Sequence, residues 1–194
     1  MNTSASLTRL VYVSQATFKP FHTPEGMECH VAQILTTSRE NNQKNQLFGA
    51  LYYGQGSFFQ CLEGEKSAVD TLYAKLLQDS RHHNLKILDQ HPIASLSFQD
   101  WEMKYALIDQ LARDFVRQHQ LRGFDPYQFS TEMVRQFLDL LLDNQDTPTD
   151  MLQQAARTPL PASTTDTTSS INKTTWLIVI AIVVVTIIAL IVVM

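Results

Sequence analysis

Four polar side chains stand where the spacing of their neighbours points to a core. Gln60 shares a strand face with Phe58 and Leu62 in the run FFQCLEG, so its carboxamide must find partners or destabilise the fold by about 1 to 3 kcal/mol. Tyr12 alternates with Leu10 and Ser14 on another short run, LTRLVYVS, which places a phenol on an otherwise packed face. Asn41 and Asn42 sit near the last turn of a helix that would cover these strands, and an amide both donates and accepts. Together these groups suit a hydrogen-bond network or a ligand. Singly, each also fits an ordinary role: a satisfied core amide, a sheet aromatic, a helix terminator. The other chemistries have little footing. Cys29 and Cys61 fit no zinc spacing and read as small core residues, and the adjacent His82 and His83 lack the helical spacing of metal ligands. No Gly-rich phosphate loop, nucleophile with its base, or dinucleotide fingerprint is present.

The elements that must position these residues follow from periodicity. Leu7 to Ser14 reads as a strand, and Pro20 and Pro24 break the chain after it. Met27, Val31, Ile34, Leu35 and Ser38 fall at helical spacing between Pro24 and about Asn42. Gln46 to Tyr53 and Ser57 to Glu63 form a hairpin about Gly54, Gln55 and Gly56. Glu65 to Arg81 is a second amphipathic helix, with strands at Leu85 to Leu88 and roughly Ser97 to Leu107. The order strand, helix, strand, strand, helix, strand, with one strand added, is the α+β split βαβ arrangement of ferredoxin-like domains. Gln110 to Leu121 and Pro126 to Leu142 supply two more helices, expected on the sheet face that the first two leave bare.

Of the 194 residues, 15 are Lys or Arg and 19 Asp or Glu, a formal charge of -4 that argues against a nucleic-acid partner. The length holds one ordinary domain plus appendages. Asn144 to Thr175 is rich in Thr, Ser and Pro and is predicted to be a disordered linker, with a helical turn allowed at Met151 to Arg157. Trp176 to Met194 carries no charge and a single hydroxyl, Thr186; as a helix it would be roughly 28 Å long, near the hydrocarbon thickness of a bilayer. It is predicted to be a transmembrane helix with Trp176 at the interface. The opening MNTSASLTRL has neither the charged start nor the apolar run of a secretory signal, so the expectation is a C-terminal tail anchor with its domain in the cytoplasm. The expected layout is 1–107 and 108–143 for the sheet domain and its helical cap, 144–175 for the linker and 176–194 for the span.

The stretch from Leu7 to about Leu107 resembles the BLUF family of flavin-binding blue-light sensors at five separated places in the same order. These are VYVS with Tyr12 and Ser14; SRENNQKNQLFGALYY with Ser38, Asn41, Asn42 and Gly49; FFQCLEG with Gln60; DSRHHN with Asp79, Arg81 and His82; and WEM with Trp101 and Met103. Phe48 departs from the family, many of whose members carry Thr before the glycine, and Asn41 replaces a residue that varies among relatives. The resemblance implies a flavin between the two ferredoxin-type helices, FAD in the first instance with FMN or riboflavin as alternatives. Asn42, with Asn41 beside it, would clamp the ring edge, and Gln60 would bridge Tyr12 and the flavin. Lys75, Asp79, Arg81 and His82 would lie toward the ribityl and phosphate end. Tyr12, Gln60, Trp101 and Met103 would form the photoactive set, Tyr12 giving up an electron and a proton and Gln60 rearranging. The expected function is therefore a membrane-tethered light sensor, not an enzyme, that signals to an unidentified protein partner, with homo-oligomerisation open. The competing expectations are a flavin-dependent or acylphosphatase-like enzyme on the same fold, and a tail-anchored adaptor without pigment.

Overall fold

The first strand, β1 (Leu7–Ala16), alternates its side chains between two buried layers over its middle, from Leu10 to Ser14. The computed structural model describes residues 6–24, 26–100, 102–105 and 108–160. After β1 come α1 (Cys29–Asn45), β2 (Phe48–Gly54), β3 (Ser57–Glu65), α2 (Lys66–Leu76), β4 (His82–Pro92), β5 (Lys104–Tyr105), α3 (Asp109–Gln118), α4 (Thr131–Asp143) and α5 (Thr149–Ala156). The sheet runs β4-β1-β3-β2-β5, with β5 parallel to β2 and the other neighbours antiparallel. This is the mixed five-stranded α+β arrangement expected from the order of elements.

β3 lies in the middle and is buried from Ser57 to Gly64, which is why apolar residues stand on both of its faces, Phe58 and Leu62 on one and Phe59 and Cys61 on the other, with Gln60 and Glu63 among the buried polar exceptions. Leu10, Tyr12, Leu51, Tyr53, Phe58 and Leu62 face one layer, where Val31, Ile34 and Leu35 of α1 and Val69 of α2 close over them. Val11, Val13, Ala50, Tyr52, Phe59 and Cys61 face the other, under Phe115 of α3 and Val134, Phe137 and Leu141 of α4. The two helices following the sheet thus cover the second face, as expected.

Three expectations need correction. The first helix starts at Cys29, where the Glu28 carboxylate accepts from Val31 N at 2.6 Å, and it ends at Gln46 in the left-handed region (φ 53°), so Asn41 and Asn42 lie inside the helix. The strand expected over 97–107 is reduced to Lys104–Tyr105. The buried Glu63 carboxylate takes the Ser97 N–H at 2.6 Å and the Phe98 N–H at 3.2 Å, which turns the chain away from the ladder there. The stretch predicted to be linker is folded in its first part: Thr147, Leu152 and Ala155 are buried, and α5 belongs to the same compact unit as the sheet. Among the described residues no helix is long and apolar enough to cross a membrane. The segment 176–194, and the linker beyond residue 160, lie outside the described residues.

Candidate functional site

Antiparallel pairing sets Tyr12 of β1 directly opposite Gln60 of β3, and Gln60 opposite Leu51 of β2, which in turn pairs with Tyr105 of β5. A single row across the sheet therefore carries the phenol and the amide on the same face. The Tyr12 hydroxyl donates to Gln60 Oε1, and Gln60 Nε2 donates to the Met103 sulfur at 3.6 Å. Tyr12 is wholly buried, with the ring of Tyr73 edge-on at 5.6 Å. Burial, helped by Tyr73 and Asp79, raises its pKa far above the ordinary 10, so the phenol is neutral and acts as donor. Gln60 is only 6% exposed, yet its amide is bonded at both ends: a strong bond to the phenol and a weak one to a thioether.

Met103 faces this layer because it lies two residues before Tyr105, with Lys104 turned to the opposite side, where its ammonium donates to Leu142 O of α4 at 2.6 Å. Asn42, 2% exposed, donates from Nδ2 to Glu102 O at 2.6 Å, which brings the end of α1 to the residue beside Met103. Tyr12, Gln60, Met103 and Asn42 are thus brought together around β3 and β5. Trp101 lies outside the described residues.

Between α1 and α2 runs a cleft of about 270 Å3, close to the lower end of the roughly 300 to 1,000 Å3 usual for small-molecule sites. Asn41, Asn42 and Asn45 line it from α1, Ser67, Thr71 and Lys75 from α2, with Leu47, Ala68 and Leu72 as apolar walls. Leu47 and Leu72 pack into the same layer as Tyr12. The donor set fits a flavin: amides for a ring edge of alternating donors and acceptors, apolar surface for the ring faces, and one cation for an anionic tail.

Asp79, Arg81 and His82 stand apart from the lining of this cleft. The Asp79 carboxylate takes the Arg81 backbone N–H and a two-pronged guanidinium contact, which lowers its pKa to about 2. His82 is buried at the start of β4, Nδ1 2.9 Å from Ser14 Oγ and its ring 4.6 Å from that of Phe58; burial, the leading cause, lowers its pKa to about 4.

Sequence reasoning passed over Arg39 and Asp146. Arg39 donates from Nε to Met103 O at 3.0 Å, and its Nη2 reaches both oxygens of Asp146 at 2.8 Å. Asp146 Oδ1 accepts the Tyr105 N–H at 2.8 Å. One signal was available for Arg39: it falls on the stripe Val31, Leu35, Arg39, Asn42, the face of α1 turned inward.

The family model described as BLUF, sensors of blue-light using FAD, matches residues 7–104. The photoactivated adenylate cyclase beta subunit of Euglena longa is 32% identical over 113 residues, and that of Euglena gracilis 31% over 113. Each match takes in 57% of this chain and 12% of the relative, so the chain spans about an eighth of the length of these proteins. Among solved structures, the ground state of BlsA is 35% identical with a TM-score of 0.66, over 74% of this chain and 93% of that one. Its photo-activated state gives 33% and 0.64, over 73% and 99%. The dark-state structure of BlrB, a BLUF protein, gives 27% and 0.57, over 71% and 96%.

Proposed function

Since this chain belongs to the BLUF family of blue-light sensors using FAD, we propose that it holds a flavin non-covalently between α1 and α2 and senses blue light by rearranging hydrogen bonds at Gln60. The observation that carries the reading is the buried row Tyr12, Gln60, Met103 beside a cleft lined by amides. When bound, the flavin supplies absorption of blue light and an excited state that takes up an electron. FAD is the first choice, with FMN and riboflavin as the alternatives.

Each residue has a task that its chemistry allows. Asn42, joined by Asn41, holds the ring edge, and Lys75 supplies charge toward the anionic tail. In the dark Tyr12 keeps its proton, because burial makes the phenolate costly. Tyr12 would be the electron donor, its phenolic proton moving along its bond to Gln60 Oε1, and both electron and proton would return to Tyr12, so that no net oxidation remains once Gln60 has rearranged. Gln60 responds by exchanging the roles of its two ends, rotating or tautomerising, and leaves Met103 as it does so. A neutral amide is required: Glu would bring a buried charge and Leu would bring no hydrogen bond. Trp101 belongs to the same proposed set. Asp79, Arg81 and His82, on the turn from α2 into β4, are assigned to the ribityl and phosphate end, with Arg81 closest in character to a phosphate partner.

No substrate is turned over in this reading; the output is contact with another protein. The proposal extends to residues 176–194 as a membrane tether that leaves the sensor on the cytoplasmic side.

Absorption spectra of the purified chain before and after blue light test the switch. A reversible red shift is expected, with Tyr12→Phe and Gln60→Leu each retaining flavin and losing the shift; a normal response in either removes the mechanism. For the tether, deletion of residues 172–194 is expected to move the protein from membranes to the soluble fraction with its light response intact. Aggregation of the shortened chain would make the apolar segment part of the fold instead.

A further inference from the structure

Met103 is delivered to Gln60 by a strand of two residues, paired to β2 only at Ala50 with Lys104 and at Leu51 with Tyr105. So short a ladder fixes a side chain poorly. The backbone of 102–105 is instead gripped from outside the sheet. Asn42 takes Glu102 O, Arg39 takes Met103 O, and Asp146 takes the Tyr105 N–H. Tyr105 O accepts the Thr147 N–H at 2.9 Å and the Thr147 hydroxyl as well. Arg39 Nη2 closes the bracket on Asp146, 2.8 Å from each carboxylate oxygen, while Nε of the same planar guanidinium holds Met103 O, two tasks that a single ammonium would not share in the same way.

The outer half of this bracket comes from beyond residues 7–104, the part that the family model matches. It is anchored in turn: Arg39 Nη1 reaches Thr149 Oγ1 at 3.2 Å, Leu152 and Ala155 are buried, and Gln33 Nε2 donates to Ala156 O at 3.3 Å. α5 therefore lies antiparallel along α1, its start at Arg39 and its end at Gln33.

We propose that Arg39 and Asp146 are positioning residues for the light switch: the pair holds the 103–105 backbone so that the Met103 thioether stays against the Gln60 amide, and so ties that amide to α5. The inference rests on the flavin-switch reading, and its test separates the two. Hydrogen exchange on the full chain with flavin bound, in the dark, reads the bracket without calling on light. Arg39→Ala and Asp146→Ala are expected to raise exchange in 102–105, where the Tyr105 amide reports directly, by about tenfold, together with exchange in α5. Dark recovery after a blue flash is expected to quicken about fivefold in both variants.

Asp146→Asn, which can still accept from Tyr105 and differs little in shape, is expected to restore most of the protection at 102–105; it also serves if an alanine variant does not fold. Gln33→Ala loosens only the far end of α5 and is expected to leave recovery unchanged. Faster exchange in α5 with wild-type exchange at 102–105 and wild-type recovery would reduce the pair to a fastener of α5 and overturn the proposal. A wild-type chain with flavin but no spectral shift would remove the switch itself, while the dark exchange result would still decide whether Arg39 and Asp146 position residues 102–105.

Discussion

Acidification from pH 7 to 4.5 is expected to weaken the fold chiefly through His82. Its imidazole is 7% exposed, against Ser14 Oγ and the Phe58 ring, and burial brings its pKa from the ordinary 6.5 down to about 4. Asp79 opposes that shift and Arg81 adds to it. The unfolded chain therefore takes up a proton at a pH where the folded one does not, so stability is complete above about 6.5 and is lost as pH falls toward about 4. At pH 4.5 the two values correspond to a loss of roughly 2 to 3 kcal/mol, an appreciable part of the roughly 5 to 15 kcal/mol that domains possess. Urea unfolding followed by circular dichroism at the two pH values measures it, with His82→Gln as the comparison, since an amide keeps a partner for Ser14 but does not titrate. The wild type is expected to lose roughly 2 to 3 kcal/mol more than the variant. Equal losses would refute the assignment of the effect to the buried ring. Asp79 does not confuse the measurement: its pKa lies at about 2, and its contribution disappears only as pH falls through the ordinary 3.8 toward that value.

Two further outcomes follow from packing. A Cβ at Gly49 would stand 2.0 Å from the Cys61 carbonyl oxygen across the β2 to β3 ladder, so Gly49→Ala is expected to abolish folded protein, read by soluble yield and circular dichroism. Leu152, 1% exposed in α5, is expected to be worth about 2 to 4 kcal/mol on replacement by Ala in urea unfolding, whereas a residue in a loose linker would give a change near zero.

The alternation of apolar residues in β1 and β3 was enough to put Tyr12 and Gln60 on buried faces, because a strand has only two sides. That they stand opposite each other depends on pairing across 48 positions, and here the resemblance to a known family supplied what local pattern could not. Helix ends were read less well. Asn41 and Asn42 look like a stop, since asparagine is a poor interior helix residue, but Asn42 is stabilised there by Glu102 O from a distant part of the chain. The bend at 97–98 has the same kind of origin, a buried carboxylate 34 residues earlier that captures two backbone N–H groups. Composition misread 144–160 because a helix of eight residues with two buried side chains has little local signature; what folds it is the surface of α1. Arg39 went unnoticed for the opposite reason: a charge is normally assigned to solvent, and only its register with Leu35 and Asn42 says otherwise.

The two bonds of the Gln60 amide are unequal, and the inequality gives the side chain a stiff joint and a loose one. At the oxygen end a wholly buried phenol grips a good acceptor; at the nitrogen end the N–H meets sulfur, whose lone pairs are diffuse and whose hold is feeble. The phenol end is fixed by the pairing of two central strands, whereas the thioether end is only as steady as the short segment that carries Met103, so the looser joint is the one that the grip on residues 102–105 must hold in place.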